Sequence, residues 1–360
     1  MDATVTKLKV IDGDGHVFED IQDIVRRMPD DSKNNTTIKY FGPFPQLDNL
    51  HQGLWVSPPE AFVDPGGADG WVDFLDATQF EAAVLYPTMA LSYGRTVDVE
   101  LSIAGCRAYN DWLADTYVKR DSRFKGLALL PMRDIDEAVK ELRRAVEELG
   151  MVGTMLPPTG LPQLLGQPCY WPVYEEADRL GCAVAVHGGA HQDMGLDQQG
   201  VFAAAHALGH PFALMLNFSD MLMQRVFERF TNCRFGFMEG GLAWFLLCME
   251  RCSGSYNAFR PADPRDRYLK VPQGQSVAQR ILEYIEAGRL FVGVEGDEPA
   301  IAYAINTYGN KAFVFSSDYP HEVNKETIAH EIDELLEIDE ISMEDKQAVL
   351  ADNARRFYGI

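Results

Sequence analysis

Eight short apolar runs, each followed by a polar loop and then by a stretch with helical spacing, constrain this 360-residue chain more than any other feature of its sequence. The runs are LKVID (8–12), EAAVLYP (81–87), KGLALLP (125–131), MVGTML (151–156), CAVAVH (182–187), RFGFME (234–239), RLFVGV (289–294) and AFVFSSD (312–318). All are short and nearly continuous in apolar character, as expected of strands covered on both faces. Between them, RDIDEAVKELRRAVEELG (133–150) carries an early Asp, spaces its apolar positions at helical intervals and stops on Gly. SDMLMQRVFERF (219–230) and VAQRILEYIEAG (277–288) read the same way. Strict alternation of strand and helix implies a parallel sheet. Eight units favour closure into a (β/α)8 TIM barrel over an open doubly wound sheet, so 1–360 reads as one α/β barrel domain.

Two segments stand outside the repeat. Residues 20–70, rich in Pro, Gly, Asn and Asp, follow the first strand and would lie over the C-terminal mouth of a barrel as an insertion or lid. The segment 342–360 reads as a closing helix. Composition then removes whole classes of function. With 32 Lys and Arg against 54 Asp and Glu, the formal charge of −22 disfavours nucleic acid and anionic membranes as partners. No apolar run approaches the roughly 20 residues needed to span a bilayer, and the opening residues lack a signal-peptide core. A cytoplasmic protein acting on a small molecule, with a homo-oligomer as an option, is the expectation. The six cysteines (106, 169, 182, 233, 248 and 252) show no CxxC pair and no zinc-finger spacing and read as reduced, buried small residues rather than a disulfide frame.

In a barrel, the C-terminal ends of the strands face the active site. The first run leads into Asp14-Gly15-His16, the fifth ends in His187, the sixth in Glu239 and the eighth in Asp318. Alone, each has an ordinary explanation. The Gly-Asp repeat around Asp14 is usually a turn, a strand-end histidine is usually structural, Glu239 could start a helix, and Asp318 could cap one. Together, four metal-ligand residue types at equivalent strand ends point to a metal site. Asp14 and His16 are two apart and would project to the same side of a strand. Imidazole and carboxylate donors without thiolates suit Zn, Mn or Fe.

These motifs carry a resemblance. IDGDGHVFE (11–19), AVAVHGG (183–189), FGFMEGGLAW (235–244) and FSSDYPHE (315–322), with the helical blocks between them, resemble the amidohydrolase superfamily. The match is to the branch that includes aminocarboxymuconate-semialdehyde and resorcylate-type decarboxylases. The resemblance implies a metal-dependent barrel enzyme with Asp14, His16 and His187 as ligands. It implies that Asp318 both approaches the metal and handles a proton. This chain departs from the branch in two places: Glu239 stands where a strand-six His is common, and the MLPPTG segment offers no strand-four Lys for a bridged pair of ions. One divalent ion is expected, or two if Glu239 bridges and His191 or His210 completes a second site.

The candidate catalytic residues are therefore Asp318, Glu239 and His210, and the candidate metal ligands Asp14, His16, His187, Asp318 and Glu239. His191, His321 and Arg251 are candidate substrate contacts. Glu19 is a candidate for orienting a ligand, and Trp244 and the Tyr86-Pro87 corner for lining a pocket, with core packing as the plainer role. The leading function is attack of metal-activated water on a small cyclic ester, lactone or amide, with Asp318 accepting the proton. The alternatives are non-oxidative decarboxylation of a hydroxylated aromatic acid, oxygen chemistry at one or two irons, and a non-catalytic binding barrel.

Overall fold

A computed structural model of the protein describes residues 8–45, 64–191, 193–260, 263, 267–321 and 323–360. Eight parallel strands form one sheet in sequential order: β1 (Ile11–Val17), β2 (Ala82–Pro87), β3 (Phe124–Ala128), β4 (Gly153–Leu156), β5 (Ala183–His187), β6 (Arg234–Met238), β7 (Leu290–Val294) and β8 (Phe313–Phe315). Helices pack around the sheet, and the architecture is the (β/α)8 barrel expected from the alternation. Seven of the strands begin within two residues of their apolar runs. The exception is β1, which starts at Ile11 and continues to Val17, so that Asp14 and His16 lie inside the strand.

The glycines of the Asp12–His16 segment explain that extension. A Cβ on Gly13 would sit 2.4 Å from Val314 Cγ1 and 2.8 Å from the Phe315 carbonyl oxygen, and one on Gly15 would sit 2.4 Å from Trp71 Cη2. The repeat that resembles a turn is thus a strand with glycine wherever β8 or Trp71 comes too close for a side chain. The seam between first and last strands closes on backbone hydrogen bonds. Asp318 N donates to Asp14 O at 3.0 Å and His16 N donates to Tyr319 O at 2.7 Å. Gly13→Ala is expected to cost about 3 kcal/mol, at the upper end of overpacking penalties because part of the clash is with backbone. Urea unfolding of the variant measures it, and a loss below about 1 kcal/mol would show that the seam can yield.

The helices obey their local signals. Asp134 caps Ile135–Glu147 by accepting from Glu137 N, and Ser276 with Gln279 forms a capping box at the start of Val277–Glu286. The 219–230 segment differs from its reading. A long helix, α1 (Phe202–Met223), ends there, Arg225 takes a left-handed φ of 67°, and a short helix Val226–Arg229 follows. No glycine announces that break. Pro211 sits inside α1, next to His210. The 342–360 segment closes the chain as Met343–Gln347 and Asn353–Tyr358, joined through a π-helical turn. Residues 46–63 of the expected insertion lie outside the described residues. Its described part contains the helices Ile21–Arg27, Asp30–Lys33 and Thr36–Phe41. The Pro45 carbonyl accepts from Ser92 Oγ in the segment after β2. All six cysteines are free thiols, with Cys169 alone exposed. Among the described residues no helix is long and apolar enough to cross a membrane.

Candidate metal centre

The strand ends bring the predicted donors together. His16 Nδ1 lies 2.7 Å from the Pro87 carbonyl oxygen, which can only accept, so Nδ1 carries the proton and Nε2 faces the cavity bare. His187 Nδ1 donates in the same way to the Gly188 carbonyl at 2.7 Å, while its Nε2 lies 3.0 Å from Asp14 Oδ1. Asp14, His16 and His187 each offer a ligand atom within 4.8 Å of the others. All three residues are fully buried. His16 Nε2 and Asp14 Oδ2 have no hydrogen-bond partner among the described residues. Leaving such atoms unsatisfied costs on the order of 1–3 kcal/mol each. Two bare, fully buried donors converging with a third, the His187 imidazole, fit a divalent cation of the Zn, Mn or Fe class.

The electrostatics of the metal-free site agree. Burial, reinforced by His321 and His187, holds His16 well below the usual histidine range, so it is neutral as a ligand must be. Burial works against charge on His187, but Asp14 and Glu239 outweigh it and push it up to about 9. Burial, and then the charges of Glu239 and Asp14, lift Asp318 well above the usual carboxylate range. Glu239 goes the other way: burial opposes its ionisation, yet His210 and His187 hold it well below. Its Oε1 lies 3.3 Å from His210 Nδ1 and its Oε2 3.2 Å from His187 Nδ1. So α1 carries His210 to the end of β6, where the branch commonly has a histidine of its own. Both Glu239 (φ 56°) and Asp318 (φ 54°) occupy the left-handed region, a strained choice for residues with a side chain. Each turns its carboxylate toward the cavity at the cost of local backbone energy.

His321 stacks on His16 with ring centroids 4.1 Å apart, shares a 2.9 Å hydrogen bond with Asp318 Oδ1 through Nδ1, and reaches Thr88 Oγ1 at 2.9 Å through Nε2. His191 is buried in the segment after β5, its ring 4.8 Å from that of His210. Burial and then His210 and His206 lower it to about 3, so it is neutral. Arg251 does not join the site. It is exposed on the helix Ala243–Phe259, whose buried face is formed by Trp244, Phe245, Cys248, Met249, Cys252 and Tyr256. Trp244 packs against Phe218 and Phe237, in the core rather than on a pocket wall.

Asp12, Ser317 and Tyr358 escaped the sequence reading, whereas Glu19 and Tyr86 were named there without their partners. Asp12 accepts from Ser317 Oγ at 2.6 Å and Ser317 N at 3.0 Å, tying β1 to the segment that bears Asp318. Its only sequence signal is its even spacing with Asp14 and His16. Glu19 accepts from the amides of Thr88, Met89 and Ala90, fixing the corner that supplies both Pro87 O and Thr88 Oγ1. Its influence on the ligands thus runs through backbone. Tyr86 lies with its ring 4.6 Å from that of His187 and its hydroxyl 2.7 Å from the Tyr358 hydroxyl, which donates to Gly13 O.

Glu298 anchors the segment after Glu239 by accepting from Leu242 N at 2.9 Å. Burial and the neighbouring Glu295 raise its carboxyl to about 7. A carboxyl raised in the fold binds its proton more tightly there than in the unfolded chain. Its contribution to stability is therefore present in acid, and it fades as the pH climbs from the usual carboxylate range through about 7. Glu298→Gln keeps the acceptor and removes the charge. Its melting temperature is expected to exceed that of the parent at about pH 8 and to match it at about pH 5. Equal melting temperatures at both would show that the charge is not felt.

A sequence model of the amidohydrolase family matches residues 11–360. The chain is 27% identical over 259 residues to 2-amino-3-carboxymuconate-6-semialdehyde decarboxylase of Dictyostelium discoideum, an alignment covering 70% of this chain and 65% of that relative. It thus spans slightly less than two thirds of that protein's length. It is 25% identical over 248 residues to gamma-resorcylate decarboxylase of Rhodococcus jostii, covering 62% and 68% of the two chains. Among solved structures, 5-carboxyvanillate decarboxylase from Novosphingobium aromaticivorans, complexed with manganese and 4-hydroxy-3-methoxy-5-nitrobenzoic acid, superposes with a TM-score of 0.71 at 16% identity. That match covers 98% of this chain and 97% of the other. An amidohydrolase from Mycobacterium avium subsp. paratuberculosis gives 0.73 at 18% identity, covering 98% of each. At such identities the structural likeness speaks for the fold.

Proposed function

The chain belongs to the amidohydrolase family, and from that premise we propose that it is a metal-dependent decarboxylase of a hydroxylated aromatic acid. The observation that carries this reading is the setting of Asp318, whose carboxyl is gathered with Glu239, His16 and His321 at the barrel mouth. Hydrolysis asks for a group at this place that takes a proton from water. Decarboxylation asks for one that delivers a proton to carbon. Burial beside Glu239 and Asp14 lifts Asp318 well above the usual carboxylate range, which favours the role of acid over that of base. This reading replaces the hydrolytic one favoured from the sequence. It also answers the missing strand-six histidine, since the proton has a donor at the end of β8.

When held by Asp14, His16 and His187, a divalent cation supplies a fixed positive charge for a substrate carboxylate and a neighbouring oxygen. The residues of the chain do the rest. The bond between ring carbon and carboxylate breaks, its electron pair stays on the ring carbon, and that carbon takes the proton from the Asp318 carboxyl. Carbon dioxide leaves, and Asp318 recovers a proton from water. His321, braced by Thr88, holds the Asp318 carboxyl in place through its 2.9 Å hydrogen bond. His210, whose charged form Glu239 favours against burial, is the group available to a second substrate oxygen. The relatives named as decarboxylases, and the solved neighbour holding manganese and a substituted benzoic acid, support this assignment.

The test is incubation of Mn²⁺-loaded protein with 2,6-dihydroxybenzoate and 5-carboxyvanillate in heavy water. Release of carbon dioxide, with deuterium at the vacated ring carbon, is the expected result. Turnover of a lactone or ester with no carbon dioxide from any hydroxybenzoate would sink the reading.

A further inference from the structure

One cation does not account for all the donors gathered at the barrel mouth. Asp14, His16 and His187 form one group, and Glu239, Asp318 and His321 form another with His16, each group with ligand atoms mutually within 4.8 Å. His16 has a single lone pair to give, because its Nδ1 proton goes to Pro87 O. Once that lone pair serves the first group, Glu239, Asp318 and His321 remain. The competing role for Glu239 is to orient His187, whose Nδ1 lies 3.2 Å from Oε2. That proton already has the Gly188 carbonyl at 2.7 Å, and Glu239 Oε2 is a buried carboxylate oxygen with no hydrogen-bond partner among the described residues. His321 is presented correctly for ligation. Thr88 Oγ1 can accept from Nε2, which leaves the Nδ1 lone pair directed at Asp318 Oδ1, 2.9 Å away. The two left-handed backbone positions of the cavity belong to the two carboxylates of this second group.

We propose that Glu239, Asp318 and His321 form a second divalent-cation site beside the first. The proposal rests on the metal-dependent reading above and extends it. The second site is the more open of the two: the Glu239 and Asp318 side chains are 15% and 24% exposed, against 0–1% for Asp14, His16 and His187. It therefore fills after the first. Because Asp318 is shared, the second cation and the transferable proton are alternatives at one carboxylate.

Apoprotein titrated with Mn²⁺, with free ion counted by electron paramagnetic resonance, tests this directly. Two equivalents per chain are expected, the second weaker than the first, with a spin-coupled signal appearing as it binds. Glu239→Gln, which keeps the shape and removes the charge, should retain the first equivalent and weaken the second at least about tenfold. His321→Asn should do the same, and circular dichroism confirms that each variant is folded. A single equivalent in the parent protein overturns this proposal and leaves the metal-dependent reading standing. No bound Mn²⁺ overturns both. Two equivalents with unchanged affinities in both variants would show that the second ion lies elsewhere, overturning the assignment.

Discussion

Asp318→Asn is expected to reduce decarboxylation turnover by about 10³-fold or more while leaving the first cation bound. The asparagine side chain fills the same space and its amide N–H can donate to the His321 Nδ1 lone pair, so the contact that braces position 318 survives. What it cannot offer is a proton of carboxylic acidity. Asp14, His16 and His187 are untouched, and the ion count in the first site should not move. The pairing of two readings makes the outcome specific: a fall in turnover at constant Mn²⁺ occupancy locates the loss in proton delivery. A variant with near-parental turnover would remove Asp318 from the chemistry and return the search to His210.

His187→Ala is expected to have the largest effect on the ion itself. It removes one of three converging donors and should weaken Mn²⁺ binding by more than the 10–100-fold typical of outer-shell changes. In the metal-free protein it also strips Asp14 of its 3.0 Å partner at a position sealed from water, and leaves a void beneath the Tyr86 ring. Breaking a buried charge pair from one side typically costs about 3–5 kcal/mol, so urea unfolding of the apoprotein should shift strongly as well. Equilibrium dialysis of the folded variant measures the first effect. Retention of a full equivalent at parental affinity would show that His187 supports the site without ligating.

The barrel was legible because its signal is periodic and redundant. Eight apolar runs between capped helices leave few alternatives, and errors of one or two residues at strand ends do not alter the topology. The break at Arg225 was not legible, because a non-glycine residue takes a left-handed turn there and nothing local announces it. At the site, Asp14, His16, His187, Glu239 and Asp318 could be read from position alone, since strand ends converge in any such barrel. The supporting contacts could not. Glu19 is a candidate on sequence, but its route through three backbone amides is not visible there; Tyr358 reaches Gly13 across the whole sequence, and Asp12 differs from a turn aspartate only in its partner Ser317. Such roles depend on tertiary neighbours that one sequence does not display. Arg251 failed for the complementary reason: helical phase places it on the outer face, and its charge suggested chemistry that its position denies.

The seam between β1 and β8 carries a consequence for synthesis. Asp14 and His16 emerge from the ribosome about 300 residues before Asp318 and Tyr319, whose backbone completes their surroundings. The early donors therefore wait, unassembled, through most of translation, and their pairing is among the longest-range contacts the chain can make. A cation meeting a nascent chain would find only isolated ligands, too few to compete with water. In the closed barrel, a cation held by Asp14, His16 and His187 would tie β1 to β5 and favour the folded ring by mass action. Metal uptake would then report on completed folding, since a partly made or frayed barrel would neither hold the ion nor act prematurely on a substrate.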